Sequence, residues 1–364
     1  MKKVAVIMAG GMGAKFWPKS TAKLPKQFTH TMGEGTLLQN TYARLLQFFE
    51  KEDIYVITAY KFLDVVKQQL PKIQFENLIF EPFGRHTAPC TALASLYLQN
   101  KGYTADTVMC IFPSDHIISN VGEFIQSIET AAKIAYEKHS VVTIGIPPTR
   151  PETGYGYIQL KQDSKGIEEY FDLGARLTNT FAEKPDERTA ERFIDSGDFV
   201  WNSGMFIWRI DVFEHLFAKF LPQYAEKYEI LARYIGKDGY IEELKYIYKQ
   251  LNPMSLDYGI LEKAENVYCI QSSFFWSDLD NWDELYRLSL KDAHNNVLEG
   301  DIISINNKNS MIISQSGKFV GVVGMSDVIV IDTDDSILIC RRGASDDVQE
   351  LVDHLRRRNI NKFL

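Results

Sequence analysis

Glycines 10, 11 and 13 stand directly behind the apolar run VAVIMA, and Lys15 and Lys26 follow in the same loop, GGMGAKFWPKSTAKLPKQF. Glycine lets backbone N–H groups approach a ligand closely, and a polyphosphate needs many such donors with cations beside them. The loop therefore predicts a cradle for a nucleotide's phosphates, built from Ala9, Gly10, Gly11 and Gly13, with Lys15 and Lys26 as the catalytic cations. Neither familiar phosphate loop fits. A P-loop needs lysine and a hydroxyl residue directly after its last glycine, whereas Ala14, Lys15 and Phe16 follow Gly13. A dinucleotide fingerprint needs glycine where Phe16 stands, which disfavours a hydride-transferring enzyme. Gly10 and Gly11 alone would equally suit an ordinary turn; the lysines gathered around prolines 18 and 25 set this loop apart.

The acidic positions complement it. Asp115, in PSDH, follows the apolar run TVMCIF, and Asp278, in FFWSDLDNWDEL, follows another. A carboxylate at a strand's end beside phosphates is where Mg²⁺ is usually held, by one or two carboxylates plus phosphate oxygens, so Asp115 and Asp278 are the expected metal pair. Taken singly, either aspartate also suits a helix cap or a turn. His116 has no serine or cysteine nucleophile motif to serve and reads as structural.

Such a site needs a sheet to carry it. The runs VAVIMA, IYVIT, LIF, TVMCIF and SVVTIGI alternate with helix-period segments at 37–49, 61–70, 88–99 and 122–137. In the first of these, Leu38, Tyr42, Leu45 and Phe49 recur at three and four residues and form an apolar stripe. Strand and helix in turn predict a Rossmann-like mixed, mostly parallel sheet with helices on both faces, whose ligands lie beyond the carboxyl ends of the strands. From about residue 150 the pattern shifts to longer loops and mixed strands, with a strand through WNSGMFIW and helices at 211–219 and across 222–250. After residue 300 the short runs DIISI, SMIIS, FVGVVG, VIVID and SILIC predict a β-solenoid or small barrel. Helix 345–358 would close it with a stripe of Val348, Leu351, Val352 and Leu355; Asp346 and Asp347 suit that helix's N-terminus and Arg356 to Arg358 its C-terminus.

At 364 residues the chain predicts an α/β domain over 1–295 and a small C-terminal one over 296–364. Its net charge of -8, from 48 Asp and Glu against 40 Lys and Arg, argues against a nucleic-acid surface. Cys90, Cys110, Cys269 and Cys340 show no CxxC spacing and read as reduced thiols in a cytoplasmic protein. Lys2 and Lys3 imitate the start of a signal peptide, but Gly10, Gly11 and Lys15 cut the apolar run short, and no stretch approaches a membrane span.

The ordered motifs carry a resemblance. The glycine loop with WPKS and PKQF is followed by EPFGRHTAP at 81–89, FPSDH at 112–116, GIPPTRPETGYGYI at 145–158, FAEKP at 181–185, WNSGMF at 201–206, SLDYGILEK at 255–263 and WSDLDNW at 276–282. In this order they resemble the mannose-1-phosphate guanylyltransferases of the sugar-phosphate nucleotidylyltransferase family, over nearly the whole chain; the region after 295 is similar to that family's C-terminal β-helix-like domain. The resemblance implies a Mg²⁺-dependent, oligomeric enzyme that joins GTP and mannose 1-phosphate into GDP-mannose and pyrophosphate. It implies nucleotide contacts at Glu81, Arg85, Thr87, Pro113, Ser114 and Asp115. It implies sugar-phosphate contacts at Gly154, Tyr155, Glu183, Lys184 and Asn202, with oligomers formed through the C-terminal domain. Two alternatives stay open: a related nucleotidylyltransferase for another sugar 1-phosphate, and a non-catalytic regulatory homologue that binds nucleotide sugar. The chain departs from the family pattern at Lys15, where arginine is usual, at His86, where asparagine is usual, and at Asp280-Asn281. It also ends where some relatives continue into an isomerase domain, so that second activity is expected to be missing.

Overall fold

The computed structural model describes residues 1–364, which form two compact units: Met1–Gly10 with Thr41–Trp276, and Gly11–Asn40 with Ser277–Leu364. The first is built on a nine-stranded sheet. Strands β1 (Lys3–Met8), β2 (Ile54–Ala59), β3 (Leu78–Glu81) and β4 (Val108–Pro113) lie parallel in the order β3-β2-β1-β4. Their continuous apolar sequences suit strands covered on both faces, and β2 is buried along its whole length. All four strands end on the same side, so Gly10, Glu81 and the 113–115 turn leave the sheet at one rim.

The sequence rhythm alone would place Val142–Ile146 beside β4. The strand Phe199–Arg209 lies between them instead, antiparallel to both. This eleven-residue strand buries most of its side chains on both faces, and only a central position covers both. Gly145 makes the approach possible, because a Cβ there would meet Val200 Cγ2 at 2.4 Å. Tyr268–Gln271 pairs parallel with Val142–Ile146, and the antiparallel strands Ala175–Glu183 and Gly156–Leu160 complete the sheet. The core on one face includes Trp208, Phe213 and Phe217, stacked with centroids 5.3 and 5.5 Å apart. The helical stretch expected across 222–250 is two helices, Pro222–Ala232 and Tyr240–Gln250, separated at Gly236 and Gly239, which both take positive φ.

In the second unit Val297–Glu299, Met311–Ser314 and Val328–Asp332 stack in parallel, and Ile302–Ile305 pairs in parallel with Val320–Val323. Parallel rungs make this a solenoid rather than a barrel. Asn296 and Asn307, both nearly fully buried, donate to Asn307 O (3.1 Å) and Val322 O (2.6 Å), satisfying turn carbonyls between rungs. The helix Val348–Arg357 buries Val348 and Val352, but Leu351 is 39% exposed, so the stripe is narrower than its spacing predicts. The glycine loop packs with this unit: Trp282 Nε1 donates to Trp17 O (3.0 Å), and the Phe16 and Trp282 rings lie 4.8 Å apart.

Candidate active site

At the rim of the first unit, Ala9 N donates to Ile57 O (2.8 Å) and Thr58 Oγ1 donates to Ala9 O (2.7 Å), so the chain leaves the sheet only at Gly10. Glu81 ends β3 with 2% of its surface exposed and accepts from the Tyr248 hydroxyl at 3.0 Å. A Cβ on Gly10 would stand 3.4 Å from Glu81 Oε2, which places this carboxyl against the backbone predicted to meet the nucleotide. Burial pushes the carboxyl up to about 7, against the opposing hydrogen bonds of Tyr248 and Cys90. Arg85 Nε donates to Tyr248 O (2.9 Å), and residues 85–88 are zipped to 254–256 by three bonds: Met254 N to Arg85 O, Ala88 N to Met254 O and Leu256 N to Thr87 Oγ1. Between them His86 sits at φ 65, ψ -171, a conformation ordinarily reserved for glycine. Its flanking bonds hold it there.

The turn after β4 is equally fixed. Pro113 pairs opposite Met8, Ser114 N donates to Met8 O (3.1 Å), and Thr41 Oγ1 donates to Ser114 O (3.1 Å), delivering the half-buried Asp115 at the strand's end. His116 is tied into the packing: its Nδ1 accepts from Trp276 Nε1 at 3.1 Å and its carbonyl accepts from Arg44.

A second cluster gathers residues expected to contact the sugar phosphate. Glu183 pairs across the strands with Gly156, where a Cβ would come within 2.7 Å of Glu183 Oε2 and 3.5 Å of Asn202 Cβ. Asn202 donates to Asp257 Oδ1 (2.7 Å) and accepts from Gly204 N (3.1 Å). Burial raises the pKa values of both Glu183 and Asp257; for Glu183, the Asp257 charge adds to the rise and Lys184 opposes it. Lys184 itself takes a left-handed φ of 46, which fixes the direction of its backbone at the strand's end. Tyr155 is buried edge-on between Trp201 and Trp276, at 5.3 and 5.2 Å, while Gly154 N donates to Glu152 Oε1 (3.3 Å). Asp257 is the residue the sequence reading missed. It opens a five-residue π-helical turn, Asp257–Leu261, a geometry often found at functional sites, but no periodicity announces it.

In the second unit Gly13 adopts a left-handed φ of 57, and a Cβ there would lie 2.5 Å from Lys26 Cβ. Lys26, 5% exposed, donates to the carbonyls of Asp278 (2.9 Å) and Leu279 (3.0 Å), so this cation is held beside the backbone of the proposed metal residue. Gln27 Nε2 donates to Gly11 O (3.0 Å), tying the loop's two ends. Lys15 pairs with Asp280 and, at 2.7 Å, with Asp346. Burial alone would lower its pKa, but the two carboxylates outweigh it and hold the ammonium above its ordinary value. Two of the departures from the expected motif, Lys15 and Asp280, are thus partners.

Residues 4–295 match the family model described as nucleotidyl transferase, and residues 300–355 match the mannose-phosphate isomerase/GMP-like β-helix domain. The chain belongs to the nucleotidyl transferase family. It is 33% identical to mannose-1-phosphate guanylyltransferase 2 of Escherichia coli O157:H7 over 99% of this chain and 75% of that protein. It is 34% identical to the alginate biosynthesis protein AlgA of Pseudomonas syringae pv. tomato over 96% of this chain and 71% of that one. A crystal structure described as mannose-1-phosphate geranyltransferase from Thermus thermophilus superimposes with a TM-score of 0.84 at 30% identity, covering 98% of this chain and all of that one. No helix of this nucleotidyl transferase is long and apolar enough to cross a membrane.

Nucleotidyl transferases generally use a divalent metal. Within neither unit do three or more His, Cys, Asp or Glu side chains gather into a cage. Asp115, in the first unit, and Asp278, in the second, are each half-buried carboxylates, hard oxygen donors of the kind Mg²⁺ takes.

The raised pKa of Glu81 has a measurable consequence in this nucleotidyl transferase. Between its ordinary value of 4.5 and about 7 the unfolded chain has lost the proton that the native state keeps, so stability falls as pH rises through that window and levels off above it. The full effect is on the order of 3 kcal/mol. Glu81→Gln keeps an acceptor for Tyr248 and removes the titration; denaturant unfolding at pH 5 and pH 8 is expected to show a smaller loss of stability in the variant than in wild type. Equal losses would mean that Glu81 ionises without cost.

Proposed function

We propose that this nucleotidyl transferase moves GMP from GTP to mannose 1-phosphate, giving GDP-mannose and pyrophosphate. The observation that carries the reading is similarity, at 33% identity over 99% of this chain and 75% of the relative, to a protein named for that reaction. The chemistry suits the residues. The phosphate oxygen of a sugar 1-phosphate is already anionic at neutral pH, so attack on the α-phosphorus needs no general base; it needs alignment and cancellation of charge. That accounts for a site rich in glycine, lysine and carboxylate and free of a nucleophile triad.

In this reading Ala9, Gly10, Gly11 and Gly13 present backbone donors to the triphosphate, and Glu81, Arg85 and Thr87 face the base and ribose with Pro113 and Ser114. Buried Glu81, beside Gly10, suits guanine, whose N1–H and amino group need an acceptor. Lys26 neutralises phosphate from a fixed position, whereas Lys15 must share its ammonium with Asp280 and Asp346. Lys184 holds the sugar's phosphate; Glu183 and Asn202 accept from its hydroxyls, with Asp257 fixing the Asn202 amide and Gly154 and Tyr155 closing over the ring. Mg²⁺, held by Asp115 and Asp278, would supply cancellation of charge on the reacting phosphates. The free cysteines, three of them buried, support a reducing cytoplasmic setting.

Pyrophosphate release is the test, run with each nucleoside triphosphate against a panel of sugar 1-phosphates. Turnover should be fastest with GTP and mannose 1-phosphate. Thermal stabilisation by GDP-mannose without any turnover would instead identify a binding homologue.

We also propose that the chain self-associates through its C-terminal domain, residues 296–364. Ile303 and Ile305 alternate outward on one strand, and Val323, opposite Ile305, is exposed beside them, with Phe319 and Met325 exposed nearby. A contiguous apolar face of this kind marks an association surface. Light scattering should report an oligomer for wild type and a monomer for Ile305→Lys combined with Val323→Lys; a double variant of wild-type mass would place the interface elsewhere.

A further inference from the structure

A cavity of about 490 Å³ lies within the second unit; neither Lys15 nor Lys26 lines it, but the stretch of chain between and beyond them does. One wall is the later part of the glycine loop, from Pro18 to His30; the other comes from residues 315 and 333–336 of the solenoid and from Lys362 to Leu364. Its volume falls within the ordinary range for small-molecule sites. Its charges set it apart. Lys19, Lys23 and Lys362 all line it, and no side chain or carbonyl stands within hydrogen-bonding distance of their ammonium groups. Lys19 is half-buried, and its pKa is lowered by desolvation, with Glu299 only partly opposing. A desolvated ammonium without a partner favours an anion.

Asp334 and Asp335 line the same cavity, yet they pair with none of the three lysines. Opposite charges that share a cavity without neutralising each other suit a ligand with both an anionic end and hydrogen-bond donors. Buried Phe28 and half-buried Phe363 supply an apolar wall between them. A phosphate ester bearing hydroxyl groups has this combination: phosphate for the lysines, hydroxyls for the aspartates and a carbon skeleton for the rings.

The two walls are joined. Trp17 Nε1 donates to Phe363 O at 2.6 Å, and Trp17 stands two residues after Lys15 in the loop. A ligand that draws the walls together or apart therefore acts on the segment that carries Lys15 and Lys26, provided it binds the two arrangements unequally.

We infer that this cavity is an effector site for a small phosphorylated metabolite with a hydroxyl-bearing body, a sugar phosphate or a nucleotide, and that its occupancy alters use of GTP. Calorimetry on the full chain tests this with three probes: inorganic phosphate, glucose 6-phosphate and AMP. Glucose 6-phosphate or AMP is expected to bind more tightly than inorganic phosphate, and which of the two does so identifies the source of the phosphate. Lys19→Met, which keeps the buried stem, and Lys23→Ala, at an exposed position, should each weaken that binding, the first by tenfold or more. Asp335→Ala should weaken the ester and leave inorganic phosphate unchanged, while Asp115→Ala should leave both unchanged. The bound ester should shift the KM for GTP at least twofold in wild type and not in Lys19→Met. No binding at millimolar concentration, binding that ignores the pocket substitutions, or binding without any shift in KM would each overturn the assignment.

Discussion

Asp115→Ala should lower kcat for pyrophosphate release by roughly 10³-fold while the protein stays folded, since removing one charge-stabilising group from a preorganised site commonly costs about 10²–10³. The argument starts with the backbone. β4 pairs with β1 as far as Pro113 opposite Met8, and the bonds at Ser114 lock the following turn, so the Asp115 carboxylate is delivered at the strand's end independently of its own contacts. Substitution at this half-buried position removes charge without emptying the core. Asp278→Ala should match it, because a cation held by two carboxylates and phosphate oxygens loses affinity when either carboxylate goes. The measurement is kcat against Mg²⁺ concentration with a thermal transition on each variant. A variant that turns over as wild type at low Mg²⁺ would remove that residue from the metal site.

How far the sequence announces this arrangement depends on the range of the interactions involved. β1 to β4 and the helices between them are legible, because a buried parallel strand is a continuous apolar run and a covering helix has its own period. The insertion of Phe199–Arg209 between β4 and Val142–Ile146 is not, because strand order is settled by packing between segments far apart in the chain. The solenoid is legible from evenly spaced short strands, although the spacing alone left a barrel open; the parallel pairing of Met311–Ser314 with its neighbours excludes it.

The same division runs through the site. Glycines 10, 11 and 13, Lys26 and Asp115 stand out only in combination, because glycines, lysines and a carboxylate all fall just beyond strand ends, whereas each alone would suit a turn or a cap. Asp257 lies inside the motif SLDYGILEK but carried no role there: a carboxylate on a π-turn looks like any loop aspartate until Asn202 is seen to donate to it. Nor does the loop alone reveal the partners of Lys15. Asp280 and Asp346 lie in the last quarter of the sequence, and their pairing with the ammonium shows only in the folded chain.

The packing of Gly13 on Lys26 leads to the second large expected effect. Gly13→Ala must place a methyl group 2.5 Å from Lys26 Cβ, closer than real Cβ atoms come, and must do so at φ 57, which costs an L-residue roughly 1–2 kcal/mol. The obstacle is the root of the Lys26 side chain, not its mobile tip, and the tip is pinned by the carbonyls of Asp278 and Leu279. Relief therefore comes only by moving the loop or breaking those bonds, and a displacement on the order of 1 Å at a positioning element costs about 10²-fold in rate. Lys26→Met separates charge from position: it keeps the stem under Gly13 but leaves two carbonyls without this donor, a loss of about 1–3 kcal/mol in stability as well as a cation near the phosphates. Pyrophosphate release and denaturant unfolding on both variants should show kcat reduced about 100-fold or more in each. Inorganic pyrophosphate should inhibit Gly13→Ala nearly as well as wild type and Lys26→Met far more weakly, because only the second has lost the charge. If Lys26→Met keeps wild-type kcat and wild-type inhibition, Lys26 is a structural lysine whose work ends at the two carbonyls.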